Sequence, residues 1–179
     1  MSDCCSAQAQ THAPALIEGH SSTDTRCTAC GNTGRSVERK TVLHHVRHDL
    51  LERVKNEAYR FCPDPNCSLV YYSDGGAHFS TDDLRELVTV KASGDKRPLC
   101  YCFGLNEGDA RDEIARAGNS SIPAQISQLI KAGMCACETR NPAGVCCLGQ
   151  VNKAVKRLSE EHKTAAESTH APMHDCCVR

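Results

Sequence analysis

The fourteen cysteines of this 179-residue chain fall into seven close pairs. They are Cys4-Cys5, Cys27/Cys30, Cys62/Cys67, Cys100/Cys102, Cys135/Cys137, Cys146-Cys147 and Cys176-Cys177. Thiols a few positions apart can grip one metal ion without straining the backbone. The pairing therefore predicts at least two metal centres rather than a disulfide net.

Composition points the same way. Aromatic residues make up 4% of the chain and there is no Trp, so two small blocks cannot each build a large apolar core and need a metal or a cross-link instead. The start, Met1-Ser2-Asp3-Cys4-Cys5, lacks the basic and apolar stretches of a secretory signal. No run approaches the roughly 18 apolar residues that span a bilayer. The expected compartment is the cytoplasm, where thiols stay reduced. A net charge of -1 gives no global attraction to nucleic acid or to an acidic membrane. The charged run between Arg35 and Arg60 mixes both signs and reads as a solvated face.

The organisation expected is a polar arm at 1–24, a first block at 25–95, a second at 96–165 and a tail at 166–179. The hydrophilic stretch Ser93-Gly94-Asp95-Lys96-Arg97-Pro98 joins the two blocks. In the first, Val37 to Val46 is β-branched and predicts a strand. Asp49 to about Asn56 predicts a short helix. Strands around Ala58–Phe61 and Ser68–Tyr72 make a hairpin about Pro63-Asp64-Pro65-Asn66. The second block reads as three helices: Asn106 to Ala117 with Ile114 inward, Ile122 to Gly133, and Leu148 to about Lys163 with Val151, Val155 and Leu158 as an apolar stripe.

Cys27-x-x-Cys30 and Cys62-x4-Cys67 form two knuckles that complete a tetrahedral zinc site. The role expected is structural, stabilising a block with little core of its own. His44, His45 and His48 are weaker ligand candidates, and Asp64 reads as a turn residue. Six further thiols, at Cys100, Cys102, Cys135, Cys137, Cys146 and Cys147, exceed what one zinc needs. Four thiolates on two irons fit a [2Fe-2S] cluster. The Asn141-Pro142-Ala143-Gly144 turn, the start of the Leu148 helix, Lys131 and Arg140 are expected to offset its negative charge.

The run Cys100-Tyr-Cys102-Phe-Gly, then Gly133-x-Cys135-Ala-Cys137-Glu138, then Asn141-Pro-x-Gly-x-Cys146-Cys147-Leu-Gly, resembles the N-terminal domain of CopZ-type copper chaperones. So do Cys27-x-x-Cys30 and Phe61-Cys62-Pro-x-Pro-x-Cys67. The resemblance covers about residues 25 to 165. It implies an α+β fold: a small zinc-ribbon or treble-clef-like block, then a mainly helical [2Fe-2S] block similar to bacterioferritin-associated ferredoxin. It implies that Cys100 and Cys102 ligate one side of the cluster and that one cysteine of each later pair completes it. Cys137 and Cys147 are chosen, with Cys135 and Cys146 as alternates. The MxCxxC copper loop of full-length members is absent.

Cys4, Cys5, Cys176 and Cys177 are candidate ligands for a soft ion such as Cu(I), which prefers thiolates. The function expected is that of a metallochaperone that binds copper through thiols and reduces it by way of the cluster. The partner expected is a protein such as a copper-transporting ATPase or a redox protein. The competing reading is a ferredoxin-like electron carrier without metal delivery. No nucleophile–base pair or phosphate-cradling loop is visible, so a conventional enzyme is not expected.

Overall fold

A computed structural model describes residues 26–169. Cys4, Cys5, Cys176 and Cys177 lie outside those residues, as do most of the two terminal segments.

The first block is built on a four-stranded antiparallel sheet in the order β1-β2-β3-β4. Its strands are β1 (Arg35–Val37), β2 (Tyr59–Phe61), β3 (Leu69–Ser73) and β4 (His78–Ser80). The β2–β3 hairpin is the expected one, with Tyr59 opposite Ser73 and Phe61 opposite Tyr71. Alternation along β2 buries Tyr59 and Phe61 and leaves Arg60 between them half-buried. With Val42, Val46, Val54, Val70, Tyr71 and Phe79 these rings form the block's core.

The strand expected over Val37 to Val46 is not formed. β1 ends at Val37, and a two-turn helix, α1 (Arg39–His45), follows. Thr41, Val42 and His45 are its buried residues, at a spacing that only a helix puts on one side. The Thr41 hydroxyl donates to the Glu138 carbonyl of the second block at 2.7 Å. Tertiary packing thus overrides the local β-branched preference. The short helix expected from Asp49 is a 3₁₀ turn over His48–Arg53.

The second block holds a two-stranded ribbon, β5 (Pro98–Cys100) with β6 (Leu105–Asn106), and four helices. These are α2 (Glu107–Ala117), α3 (Ile122–Lys131), α4 (Cys137–Arg140) and α5 (Leu148–Thr169). Asn106 caps α2 in a capping box with Asp109. Gly133, at φ 72°, ends α3. There the Met134 N–H reaches the Leu129 carbonyl and the Gly133 N–H reaches that of Ile130, each at 3.0 Å. Ile114, Ile122, Ile126, Val151, Val155 and Leu158 close the second core. α5 runs past the expected end near Lys163 to Thr169, helped by the Arg157–Glu161 pair at 2.6 Å, one turn apart.

The stretch from Ser93 to Pro98 joins the blocks and is tied down on the second. The Gly108 N–H donates to Asp95 O, and the Glu107 N–H to Arg97 O, both at 2.9 Å. Buried Glu107 accepts from Arg97 at 2.7 Å and from Arg157 at 2.6 Å. Among the described residues no helix is long and apolar enough to cross a membrane.

Candidate metal centre

The first knuckle is a backbone turn. The Gly31 N–H donates to the Cys27 carbonyl and the Cys27 N–H to Asn32 O, both at 2.8 Å. Gly31 takes φ 74°, which suits a residue without a Cβ. The second knuckle closes the β2–β3 hairpin. Asp64 Oδ1 accepts from the Asn66 N–H at 2.8 Å, and its Oδ2 accepts from the Asn32 amide of the first knuckle at 2.7 Å. Asp64 is the turn residue expected, and it also stitches the knuckles together.

The sulfurs of Cys27, Cys30, Cys62 and Cys67 all lie within 4.8 Å of one another. Cys30 and Cys62 are 3.6 Å apart, and Cys27 and Cys67 are 3.9 Å apart. A tetrahedral zinc with bonds of about 2.3 Å separates its sulfurs by about 3.8 Å. The donor set therefore fits one zinc. Burial pushes the Cys62 and Cys67 thiols up. Burial acts the same way on Cys27, but the N–H groups of Cys30 and Ala29 and neighbouring thiols outweigh it and hold that group low. A bound cation would replace the protons these crowded thiols otherwise keep. The three histidines take no part in this group. His45 is buried against Tyr101 instead, and His48 is exposed.

The other six described cysteines lie in the second block. Cys102 Sγ lies 3.7 Å from Cys137 Sγ. The Cys100 thiol interacts chiefly with Cys147 and also with Cys102. The Cys147 hydrogen bond, opposed by burial and aided by the N–H groups of Phe103 and Cys102, brings Cys100 down to about 6. Its partner Cys147 is pushed up, first by that same bond, and burial raises Cys137 to about 12. Among the described residues, the group that fits a single ion is the first-block one. The second set is an extended array running Cys137, Cys102, Cys100, Cys147. Such an array suits two metal atoms taking two thiolates each. Cys135 is half-buried and Cys146 exposed. None of the ten described cysteines is in a disulfide.

Of the backbone donors expected at these sulfurs, the start of the Leu148 helix supplies one, the Cys147 N–H to Cys137, while the Ala143 and Gly144 N–H groups of the turn supply none. The Gly144 and Ala143 N–H groups are spent on Asn141, at 2.8 and 3.0 Å. The sulfurs receive N–H groups from Phe103 and Cys102 (to Cys100), Ala136 (to Cys102, 3.4 Å) and Cys147 (to Cys137). Arg140 donates to the Tyr101 carbonyl at 3.3 Å, and Lys131 is exposed.

Three further residues shape both sites and carried no sequence signal. Lys91 donates to the Asp64 and Cys67 carbonyls at 2.6 and 2.8 Å, bracing the second knuckle. Thr89 and Tyr101 bond each other at the junction of the blocks.

The fold is thus a mixed α/β chain with a four-cysteine cluster in its sheet block and a second thiol array in its helical block. Residues 24–85 match a CopZ-type zinc-finger family described as a zinc binding domain. The chain is 29% identical to the copper chaperone CopZ of Archaeoglobus fulgidus over 143 residues, covering 74% of this chain and 68% of that protein. Its fold is similar to the X-ray structure of the A. fulgidus CopZ N-terminal domain. That match has a TM-score of 0.58 at 27% identity and covers 72% of this chain and 95% of that one. The first block is thus similar to a CopZ-type zinc binding domain, and its four clustered cysteines could hold a metal ion.

Proposed function

We propose that this chain is a copper metallochaperone in which a structural zinc orders the first block and a [2Fe-2S] cluster sits on Cys100, Cys102, Cys137 and Cys147. The observation that carries the reading is the extended thiol array beside a tetrathiolate, in a chain similar to a copper chaperone. When bound, the cluster supplies a one-electron couple able to take Cu(II) to Cu(I). The protein's part is to hold four thiolates in a largely buried niche, to aim N–H groups at their sulfurs and to keep water from Cys100 and Cys147. Each such N–H favours the thiolate over the thiol. Half-buried Cys135, exposed Cys146 and the terminal Cys4, Cys5, Cys176 and Cys177 are the thiols left to carry the copper cargo as Cu(I), a soft ion. A partner that takes the metal on, or that reduces the cluster, follows from this role.

The test is the visible spectrum of anaerobically purified protein before and after dithionite, followed by addition of Cu(II). Absorbance that bleaches on reduction and returns with Cu(II), together with Cu(I) retained on the protein, supports the reading. Bleaching and recovery without retained copper favours the electron carrier. A colourless protein at full iron supply refutes the cluster.

A further inference from the structure

Between the two thiol sites runs a three-residue strap, Thr89-Val90-Lys91. At one end, the Lys91 ammonium holds the Asp64 and Cys67 carbonyls at 2.6 and 2.8 Å. These carbonyls belong to the zinc knuckle itself. At the other end, the Thr89 N–H donates to the Tyr101 hydroxyl at 2.8 Å, and the Thr89 hydroxyl stands 3.0 Å from the same oxygen. The Tyr101 hydroxyl donates in turn to the Leu87 carbonyl at 3.0 Å. Tyr101 lies directly between Cys100 and Cys102 in the chain. Thr89 also donates to Pro98 O at 2.9 Å and accepts from Arg97 at 2.7 Å, so both sides of the strand entering Cys100 are fixed to it.

Every polar group of Thr89 is therefore engaged, and the residue is 8% exposed. Tyr101 is 7% exposed. Buried, fully paired polar groups hold one geometry because any shift leaves a group unpaired. The Lys91 side chain has a different anchor. Its carbonyl partners belong to the Cys62–Cys67 knuckle, and a cation among the four crowded thiols would hold that knuckle more firmly than its own hydrogen bonds do.

We infer that Lys91, Thr89 and Tyr101 are positioning residues that make the Cys100/Cys102 loop depend on zinc in the first block. Zinc fixes the knuckle, the knuckle fixes Lys91, and the strap carries that order to Tyr101. Linkage makes the effect reciprocal in affinity: an occupied second site tightens zinc binding at the first. This inference rests on the proposed cluster on Cys100, Cys102, Cys137 and Cys147.

The experiment uses the full chain loaded with zinc and iron, with Lys91→Met, Lys91→Arg and Tyr101→Phe. Far-UV circular dichroism confirms that each folds. Two rates are read: zinc release to a chromogenic chelator, and decay of visible circular dichroism under an iron chelator. Lys91→Met speeds both rates, each by about fivefold, the equivalent of one buried hydrogen bond, and Lys91→Arg restores them. Tyr101→Phe speeds the decay of the visible signal and speeds zinc release by less than Lys91→Met does, because Lys91 still braces the knuckle. Prior removal of zinc speeds the decay in wild type but speeds it less in Tyr101→Phe, where the strap has lost its bonds to the Tyr101 hydroxyl and keeps those to Pro98 and Arg97. Faster zinc release from Lys91→Met with an unchanged visible decay overturns the inference. So does an equal effect of zinc removal on wild type and Tyr101→Phe. Absence of any visible chromophore in wild type overturns the cluster reading beneath it.

Discussion

Glu107 is the single charge on which the second block turns, and its replacement by Gln tests that reading. The carboxylate is 3% exposed and accepts from Arg97 at 2.7 Å and Arg157 at 2.6 Å. Breaking a fully buried ion pair costs about 3–5 kcal/mol, because the surviving charge is left unpaired. Here the survivors are partly wet: Arg97 is 28% exposed and Arg157 42%. Solvent screening reduces the cost, and Gln retains an acceptor oxygen. Arg157 also keeps Glu161. The expected loss is about 2 kcal/mol for Glu107→Gln, and about 3 kcal/mol for Glu107→Ala, which removes the acceptor too. For a chain of this length the Gln variant should melt about 4–8 °C lower. The assay is urea unfolding of the metal-loaded protein, followed by far-UV circular dichroism. Arg97 also holds the Thr89 carbonyl, so the strap loosens in the same variant. Glu107→Gln within about 0.5 kcal/mol of wild type, the range of an ordinary surface change, would refute the claim that this carboxylate anchors both arginines.

Three other perturbations give separate readouts. Cys62→Ser removes one of four sulfurs within 4.8 Å. Sharing the ~10–16 kcal/mol of a structural zinc site among its ligands gives about 3 kcal/mol, or roughly a hundredfold weaker Co(II) or Zn(II) binding in a competition titration. Gly34→Ala places a Cβ against the Tyr72 hydroxyl, 2.8 Å from its ring carbon Cζ and 3.0 Å from the Phe61 carbonyl. Tyr72 packs with Cys27, Cys62 and Cys67, so the variant should lose about 1–3 kcal/mol to overpacking, read by denaturant midpoint. His45 is buried, and that burial, with His44, lowers it to about 4. Its folded-state value lies below the ordinary 6.5, so the unfolded chain takes up the proton first. Stability attributable to His45 is full above pH 6.5 and is lost as pH falls towards 4, by about 3 kcal/mol in all. The pH-dependent difference between wild type and His45→Phe should follow that window, and a flat difference would show that the ring titrates normally.

Much of this protein can be read from its cysteine spacing. A knuckle is a local object: Cys27 and Cys30 share one turn, and Cys62 and Cys67 share one hairpin end, so sequence separation suffices to find the tetrathiolate. The helices over Glu107–Ala117 and Ile122–Lys131 were legible for the same reason, since caps and a 3.6-residue stripe are short-range signals. Val37 to Val46 misled because α1 exists by virtue of its contact with α4, about a hundred residues away, which no local preference records. The sequence could offer Cys135 or Cys137 and Cys146 or Cys147 as alternatives. Only the packing of α4 and the start of α5 decided that Cys137 meets Cys102 and Cys147 meets Cys100. Lys91, Thr89 and Tyr101 belong wholly to the tertiary structure. Their hydrogen bonds join segments eight to twenty-seven residues apart, and a lysine, a threonine and a tyrosine carry no spacing rule that would predict such partners.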